Sequence, residues 1–441
     1  MIENQLIQRI NIAQAQLKTP KTAPELGQVI KMSGLVIEAT GLQAPIGAVC
    51  EIHIDADHIV TVQVIGFSED IIFLMPTSNI DGLYPGAKVT SLNKLPSITL
   101  GDTLLGRIID GCGLPLDEKG PFIEEESRPI ISKPINPLAR QSIDAPLDVG
   151  IRAINGLLTI GKGQRIGLFA GSGVGKSVLL GMMTKYTSAD IVVIGLIGER
   201  GREVKHFIEK TLGQEGLKRS VIIACPADTP PVQRLNGAEI ACTVAEYFRD
   251  QGKDVLLIMD SLSRYAQAQR QIALSLGEPP ATKGYPPSVF AKLPNLIERA
   301  GNGATGKGSI TGFYTVLAEG DDQQDPIVDS ARSFLDGHIV LSREIAEKGR
   351  YPAIDIEASI SRLMIDIVEP EQVKIANLIK KYYSLYQENS DLILVGAYEA
   401  GTNPELDKAI QYMPEITKFL EQPIDNKVSF NESIQHLQNL I

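Results

Sequence analysis

The sequence predicts an α/β protein: a mostly parallel central sheet, preceded in the chain by a small antiparallel β-barrel and followed by a helical domain. Three observations point there. Between Gly167 and Arg362, helical stretches alternate with near-continuous apolar runs at Ile191 to Ile197, Val221 to Cys225, Val255 to Met259, Ile310 to Leu317 and Ile339 to Leu341. Strands buried on both faces by flanking helices read this way. From about Val29 to Asn93 the runs are shorter and alternate polar with apolar residues, as in Glu51-Ile52-His53-Ile54 and Thr61-Val62-Gln63-Val64. Breaks near Gly41, Asp55-Ala56-Asp57, Ser68-Glu69-Asp70 and Pro85-Gly86 supply turns at roughly ten-residue spacing, which suits a barrel. Beyond Arg362 the periodicity turns helical at Val373 to Gln387, Pro404 to Tyr412 and from Asn431 onward. The expected division is a helix at 1–20, a barrel at 21–93, an α/β domain at 94–365 and a helical domain at 366–441.

Composition sets the outer limits. A chain of 441 residues with 43% hydrophobic and 22% charged residues buries a sizeable core in two or three domains. No apolar run reaches bilayer-spanning length, and the N-terminus lacks a secretory pattern. Cys50, Cys112, Cys225 and Cys242 have neither metal-ligand nor redox spacing, and the histidines form no cluster, so a reduced, cytoplasmic setting is expected. A net charge of −11 argues against a general nucleic-acid surface.

Taken in order, residues 2–18 place Leu6, Ile10, Ala13 and Leu17 on one helical face. That face suits packing on its own protein or docking of a partner, and the spacing leaves both open. The barrel segment carries no chemistry, since His53 and His58 have no partner pattern. Residues 94–165, rich in Gly and Pro, are expected to wrap the next domain rather than to form one.

The chain is organised around Arg165-Ile166-Gly167-Leu168-Phe169-Ala170-Gly171-Ser172-Gly173-Val174-Gly175-Lys176-Ser177. It reads as a strand, a tight glycine turn, and a helix that opens at Lys176 and runs on through Val178. Gly171, Gly173 and Gly175 allow the backbone to aim N–H groups inward, and the helix dipole adds positive potential. Residues 171–178 therefore form a cradle for nucleotide phosphates. Lys176 reaches the terminal phosphates, and the Ser177 hydroxyl suits one Mg2+ position. Ala170 stands where the strict pattern has glycine, and is small enough for the turn.

Ligands on parallel sheets bind beyond the carboxyl ends of the strands, and two acids stand there. Glu199, in Gly198-Glu199-Arg200-Gly201-Arg202-Glu203, ends the first apolar run and is placed to orient an attacking water, better than Glu203. Asp260, after Val255 to Met259, is placed to hold the Mg2+ shell. Taken alone each has a plain structural alternative, a surface ion-pair loop for the first and an ordinary strand end for the second. Residues 276–308, with Gly277-Glu278-Pro279-Pro280 and Lys283-Gly284-Tyr285-Pro286-Pro287, read as a long functional or mobile loop.

These segments, together with Asp260-Ser261-Leu262-Ser263-Arg264, Asp321-Asp322-Gln323-Gln324-Asp325-Pro326 and Tyr351 to Arg362, resemble the hexameric rotary-type ATPases across nearly the whole chain. Within these the chain is most similar to the flagellar and type III secretion export ATPases, relatives of the catalytic subunit of F-type ATP synthase. The resemblance implies a RecA-like P-loop core that binds ATP and Mg2+ in a homohexamer. It implies that Tyr351 stacks on adenine, that Glu199 is the catalytic carboxylate, and that Arg200 and Arg264 lie near the phosphates. Arg362 matches an arginine finger given to the neighbouring subunit, worth roughly 10³–10⁵ in turnover where such residues act. It further implies a dimeric regulatory or stator partner on the N-terminal helix, which favours the docking reading of residues 2–18. Export-gate membrane proteins, chaperones and export substrates are the other implied partners. The implied place is the cytoplasm, at the inner face of the bacterial membrane, by peripheral association only.

The wording Ile356-Glu357-Ala358-Ser359-Ile360-Ser361-Arg362 resembles flagellar more than injectisome members. The expected activity is Mg2+-dependent ATP hydrolysis that energises flagellar protein export. Rival readings are a virulence-injectisome ATPase, a rotary synthase or proton-pump subunit, a ring-shaped RNA translocase, and a non-enzymatic nucleotide-binding scaffold. The acidic balance and the missing aromatic-basic pattern in 29–93 disfavour RNA, and Glu199 with Arg362 disfavours the scaffold.

Overall fold

The computed structural model describes residues 26–123, 125–132, 135–317 and 325–440. The expected helix at 1–20 and the motif residues Asp321 to Gln324 lie outside these. The chain divides into two compact units, with the boundary between Leu95 and Pro96.

In the first unit, β1 (Leu26–Ser33), β2 (Val36–Thr40), β3 (Val49–His53), β4 (Ile59–Ser68), β5 (Ile71–Pro76) and β6 (Lys88–Ser91) close a barrel in the order β1-β2-β5-β4-β3-β6. Every pairing is antiparallel. The alternating residues Ile52, Val60, Val62 and Val64 point inward with Ile37, Leu74 and Val89, as period-2 patterning requires. The turn between β4 and β5 puts Glu69 at φ 53°, and the approach to β6 uses Gly86 at φ 90°.

The second unit is built on one sheet. Its early strands are β7 (Ser97–Leu100), β8 (Ile108–Ile109), β9 (Glu126–Pro129), β10 (Pro146–Leu147) and β11 (Ile160–Gly161). The five main parallel strands follow: β12 (Arg165–Ala170), β13 (Ile191–Ile197), β14 (Ser220–Cys225), β15 (Asp254–Asp260) and, after the short β16 (Gly301–Asn302), β17 (Ser309–Leu317). Then come β18 (Gly337–Leu341) and β19 (Ile354–Ser361). The sheet order is β19-β18-β12-β17-β15-β13-β14-β8, parallel from β18 to β8 and antiparallel at β19, with the short β16 pairing antiparallel to β17 off this path. The chain leaves β12 mid-sheet and re-enters three strands away at β13, so the crevice opens at the carboxyl ends beside β12.

The described residues of 96–165 belong to this unit, with two additions to the expectation. β7 and β9 pair with each other, and β8 joins the core sheet at its edge against β14. The long loop expected at 276–308 needs correction. It contains the helix Pro287–Ile297, whose Val289, Leu293, Leu296 and Ile297 are buried. Pro287 at the first helical position and Pro294 inside the helix disguised that periodicity.

The C-terminal helices Pro370–Glu388, Pro404–Leu420 and Phe430–Gln438 share one continuous core with the sheet. Arg152 caps the second of them. Its guanidinium donates to the Phe419 carbonyl at 2.7 Å and the Lys418 carbonyl at 2.7 Å, satisfying the end of the second helix. No helix among the described residues is long and apolar enough to cross a membrane.

Candidate active site

β12 ends at Ala170, and Gly171 to Gly175 turn the chain into the helix Lys176–Tyr186. Gly173 at φ 81° and Gly175 at φ 90° occupy the left-handed region, where a side chain is strained. Val174 is buried and anchors the loop from below, whereas Ser172, Gly173, Ser177 and Val178 face outward. The first N–H groups of the helix have no intrahelical acceptor and are free for phosphate oxygens.

Three sequence-nominated side chains meet in front of this loop. Lys176 Nζ donates to Glu199 Oε1 at 2.9 Å and to Asp260 Oδ1 at 2.5 Å. Parallel register explains the meeting: Leu196 pairs with Asp260 across β13 and β15, and both strands end at the level of the loop. Thr315 of β17 donates to Asp260 Oδ1 at 2.6 Å. Burial opposes the Lys176 charge, yet Asp260 and Glu199 outweigh it and hold the ammonium protonated above its ordinary range. Burial pushes the Asp260 carboxyl up, against the pull of Lys176 and with the push of Glu199. A cation between two carboxylates, at the mouth of a glycine loop, is the charge pattern that a polyphosphate with its metal would rearrange.

The remaining nominated residues divide into two groups. Arg264 joins the cluster's margin: its stem packs over Gly198, where an added Cβ would lie 2.7 Å from Arg264 Cβ. Tyr351 lies over the loop, with its Cε1 3.4 Å from the Cβ position of Gly175 and the residue 47% exposed. Arg200 does not join; its side chain is 80% exposed and pairs with Glu203 at 3.3 Å. Arg362 does not join either. β18 pairs Leu341 with Ile354 and Gly337 with Ser361, so β19 runs from the loop end of the sheet to the opposite end. Eight extended residues span about 25 Å, and Arg362 emerges at the far edge, exposed, with its amide on the Asp336 carbonyl.

A cleft of about 380 Å³ lined by Ser177, Arg202, Glu203, His206 and Phe207 opens beside the helix start. Among the described residues no group of three or more His, Cys, Asp or Glu could hold a metal. A phosphate-bound Mg2+ needs less from the protein, one hydroxyl and one carboxylate, with phosphate and water completing the shell. Ser177 and the strand-end carboxylate Asp260 fit that donor set. Sequence reasoning missed Thr315, a hydroxyl inside an apolar strand whose meaning depends on which strand lies beside β15.

This fold and site define a P-loop α/β nucleotide-hydrolysing protein. Comparisons with known proteins narrow the class. Residues 150–361 match the ATP synthase alpha/beta family nucleotide-binding domain, residues 29–93 its β-barrel domain, and residues 368–439 the T3SS EscN ATPase C-terminal domain. The chain is 58% identical to a flagellum-specific ATP synthase of Pseudomonas aeruginosa, over 94% of this chain and 93% of that one. It is 43% identical to a type 3 secretion system ATPase of Xanthomonas euvesicatoria, with 96% of each chain covered. The assembled ATPase EscN of enteropathogenic E. coli superposes with a TM-score of 0.89 at 46% identity, covering 94% of this chain and 99% of EscN. The chain belongs to the flagellum-specific and type III secretion ATPases of the ATP synthase alpha/beta family, and is an ATPase.

Proposed function

We propose that the chain hydrolyses ATP in a homohexameric ring and energises flagellar type III protein export, by releasing substrates from chaperones, unfolding them and delivering them to the export gate. The working parts are a partner-docking helix at 1–20, a barrel at 21–93, an ATPase domain at 94–365 and a helical domain at 366–441. The observation that carries the ring is the geometry of β19, which keeps Tyr351 at its own loop and sends Arg362 to the opposite edge. A guanidinium carried to the far end of β19, a strand's length from its own phosphate loop, suits a neighbour's site rather than its own. The EscN structures support assembly, one of them in complex with its central stalk EscO.

In the cycle proposed, residues 171–178 cradle the phosphates and Tyr351 stacks on adenine. Mg2+, held by Ser177 and through the Asp260 shell, neutralises phosphate charge when bound. Lys176 leaves its carboxylate partners for the terminal phosphates. That frees Glu199 to orient the attacking water and accept its proton. Arg264 lies beside the γ-phosphate; Arg200 reaches it only by swinging away from Glu203. The protein works in the cytoplasm, at the inner face of the membrane. Its partners are a dimeric regulator on the N-terminal helix, the export-gate proteins, and chaperones with their substrates. No nucleic acid is required.

Flagellar rather than injectisome service is the reading supported by identities that reach 58% and 56% with flagellar relatives, against 43% with the Xanthomonas ATPase and 46% with EscN, although flagellar relatives extend down to 43% as well. A deletion strain complemented with Glu199→Gln tests both levels. The variant should bind ATP and lose hydrolysis, and the strain should lose motility and flagellin secretion. Near-normal turnover would reject Glu199 as the catalytic carboxylate. A deletion strain that swims but fails to secrete effectors would reject the flagellar assignment.

A further inference from the structure

Helix Pro231–Asp250 packs on helix Leu262–Ser275; both begin beyond the carboxyl ends of the sheet, and each carries one arginine near its start. Arg234, in the first turn of the former, is only 6% exposed. Its Nη2 donates to Gln271 Oε1 at 2.5 Å, while its Nε is buried with no hydrogen-bond partner. Arg264, on the second helix, repeats the arrangement: Nη1 donates to Gln267 Oε1 at 2.7 Å, and Nε is again buried without a partner. The two glutamines are one helical turn apart. Both line a cleft of about 540 Å³ together with Ser263, Arg270 and Asp325.

Three effects oppose a charge at Arg234. Burial comes first and the nearby Arg264 cation second, and together they push its guanidinium below the ordinary value. The third is the positive end of its own 20-residue helix. Two other arginines of the fold, one buried and one half-buried, are compensated. Arg299 has Glu239 and Glu246, and Arg219, without a carboxylate, gathers the carbonyls of Thr184, Lys185, Thr187 and Ala189. Arg234 has one glutamine oxygen. A buried, poorly solvated cation facing another cation is a strong local source of positive potential.

The potential is aimed. The Arg264 stem rests on Gly198, the residue between β13 and Glu199, and Arg234 sits on the neighbouring helix. We propose that Arg234 is a positioning residue for ATP hydrolysis: it keeps Arg264 from folding back between the helices and directs that guanidinium toward the terminal phosphate. Negative charge developing on the phosphoryl group then relieves the repulsion between the two arginines, so the pair favours the transition state over the resting site. This inference rests on the reading of Arg264 as a residue beside the phosphates.

The test is steady-state ATPase kinetics of the full chain with Arg234→Met, Arg234→Lys, Arg264→Gln and the Arg234→Met/Arg264→Gln double variant, alongside thermal unfolding. Arg234→Met should lower kcat about tenfold with KM for ATP changed less than twofold, and Arg234→Lys should restore most of the loss. In the Arg264→Gln background Arg234→Met should cost less than a further twofold, because its effect passes through Arg264. The unfolding midpoint of Arg234→Met should equal or exceed that of the parent, since an uncompensated buried charge has been removed. A lowered midpoint with losses that add to those of Arg264→Gln would make Arg234 merely structural and overturn the inference, as would unchanged kcat in Arg234→Met. Unchanged kcat in Arg264→Gln would instead overturn the underlying reading of Arg264.

Discussion

At the scale of single residues, the site is a problem of holding a buried carboxylate in place. Asp260 has a side chain only 5% exposed, and its two described partners, Lys176 and Thr315, bond the same oxygen. On nucleotide binding Lys176 is proposed to turn to the phosphates, which leaves Thr315 as the constant donor. Thr315→Val keeps the shape and removes the hydroxyl. It should destabilise the protein by about 1–3 kcal/mol, the usual cost of depriving a buried charged acceptor of its donor. Urea unfolding measures that loss. Hydrolysis should fall as well, because the carboxylate proposed to order the Mg2+ shell loses its fixed rotamer. Thr315→Ser should recover both properties. If valine is tolerated in stability and in turnover, Lys176 alone orients Asp260.

At the scale of elements, the edge of the sheet depends on a local clasp. β8 contributes only Ile108 and Ile109, too little to hold an edge through its ladder alone. Arg107 supplies the rest, donating through Nε to Asp117 at 2.7 Å and stacking its guanidinium over Phe122 at 4.7 Å. Burial alone would raise the Asp117 carboxyl. Hydrogen bonds from Arg107 and the amides of Ile108 and Lys119 more than reverse this, bringing it to about 2. A carboxylate whose folded pKa is depressed stabilises the fold wherever it is ionised. Its contribution is therefore complete above about pH 4 and is lost as the pH falls toward 2. Between those limits the parent should lose about 1 kcal/mol more stability than Asp117→Asn, after allowance for solvent screening. Unfolding at the two pH values measures it, and parallel losses would dismiss the clasp. The clasp also shows where sequence was opaque. The runs that became β13, β14, β15, β17 and β18 were legible because strands buried on both faces carry continuous apolar residues. β8 was not, since two residues make no pattern, and the helix Pro287–Ile297 hid behind its own prolines. In the site, the glycine loop, Glu199 and Asp260 were legible as local chemistry. Thr315 and Arg234 were not, because each matters only through a neighbour far away in the chain.

At the scale of the molecule, the sheet has two working ends and β19 joins them. Tyr351, just before the strand, rests on the loop, and its carbonyl accepts from the Gln422 amide at 3.0 Å. That bond is made by the Gln422 backbone, while its side chain donates to the Gly150 carbonyl at 2.8 Å and accepts from the Arg152 amide at 2.8 Å. The C-terminal helices are thereby tied to the tyrosine proposed to stack on adenine. Arg362, at the other end of β19, follows Ser361, whose hydroxyl accepts from Gln164 at 3.1 Å at the foot of β12. A rigid strand with one end on its own nucleotide loop and the other at a neighbour's would make each subunit's state felt next door. The proposed ring then makes a prediction that depends on both ends. Arg362→Ala and Lys176→Ala should each abolish turnover in uniform rings, the first by removing the donated guanidinium, the second by disabling the receiving loop. Mixed rings should regain activity wherever a Lys176→Ala subunit, with its intact Arg362, faces the intact loop of an Arg362→Ala subunit. Random mixing in equal parts places such a pair at about one interface in four, so recovery of up to roughly a quarter of parental turnover is expected if sites fire independently. Native mass spectrometry of the mixture confirms that subunits have exchanged, and phosphate release gives the rate. Well-mixed rings that stay inactive would mean that Arg362 does not complete a neighbour's site, or that one dead site silences the whole ring. Rings in which wild-type subunits are diluted by Arg362→Ala separate these, since turnover falls in proportion to wild-type content only when sites work independently.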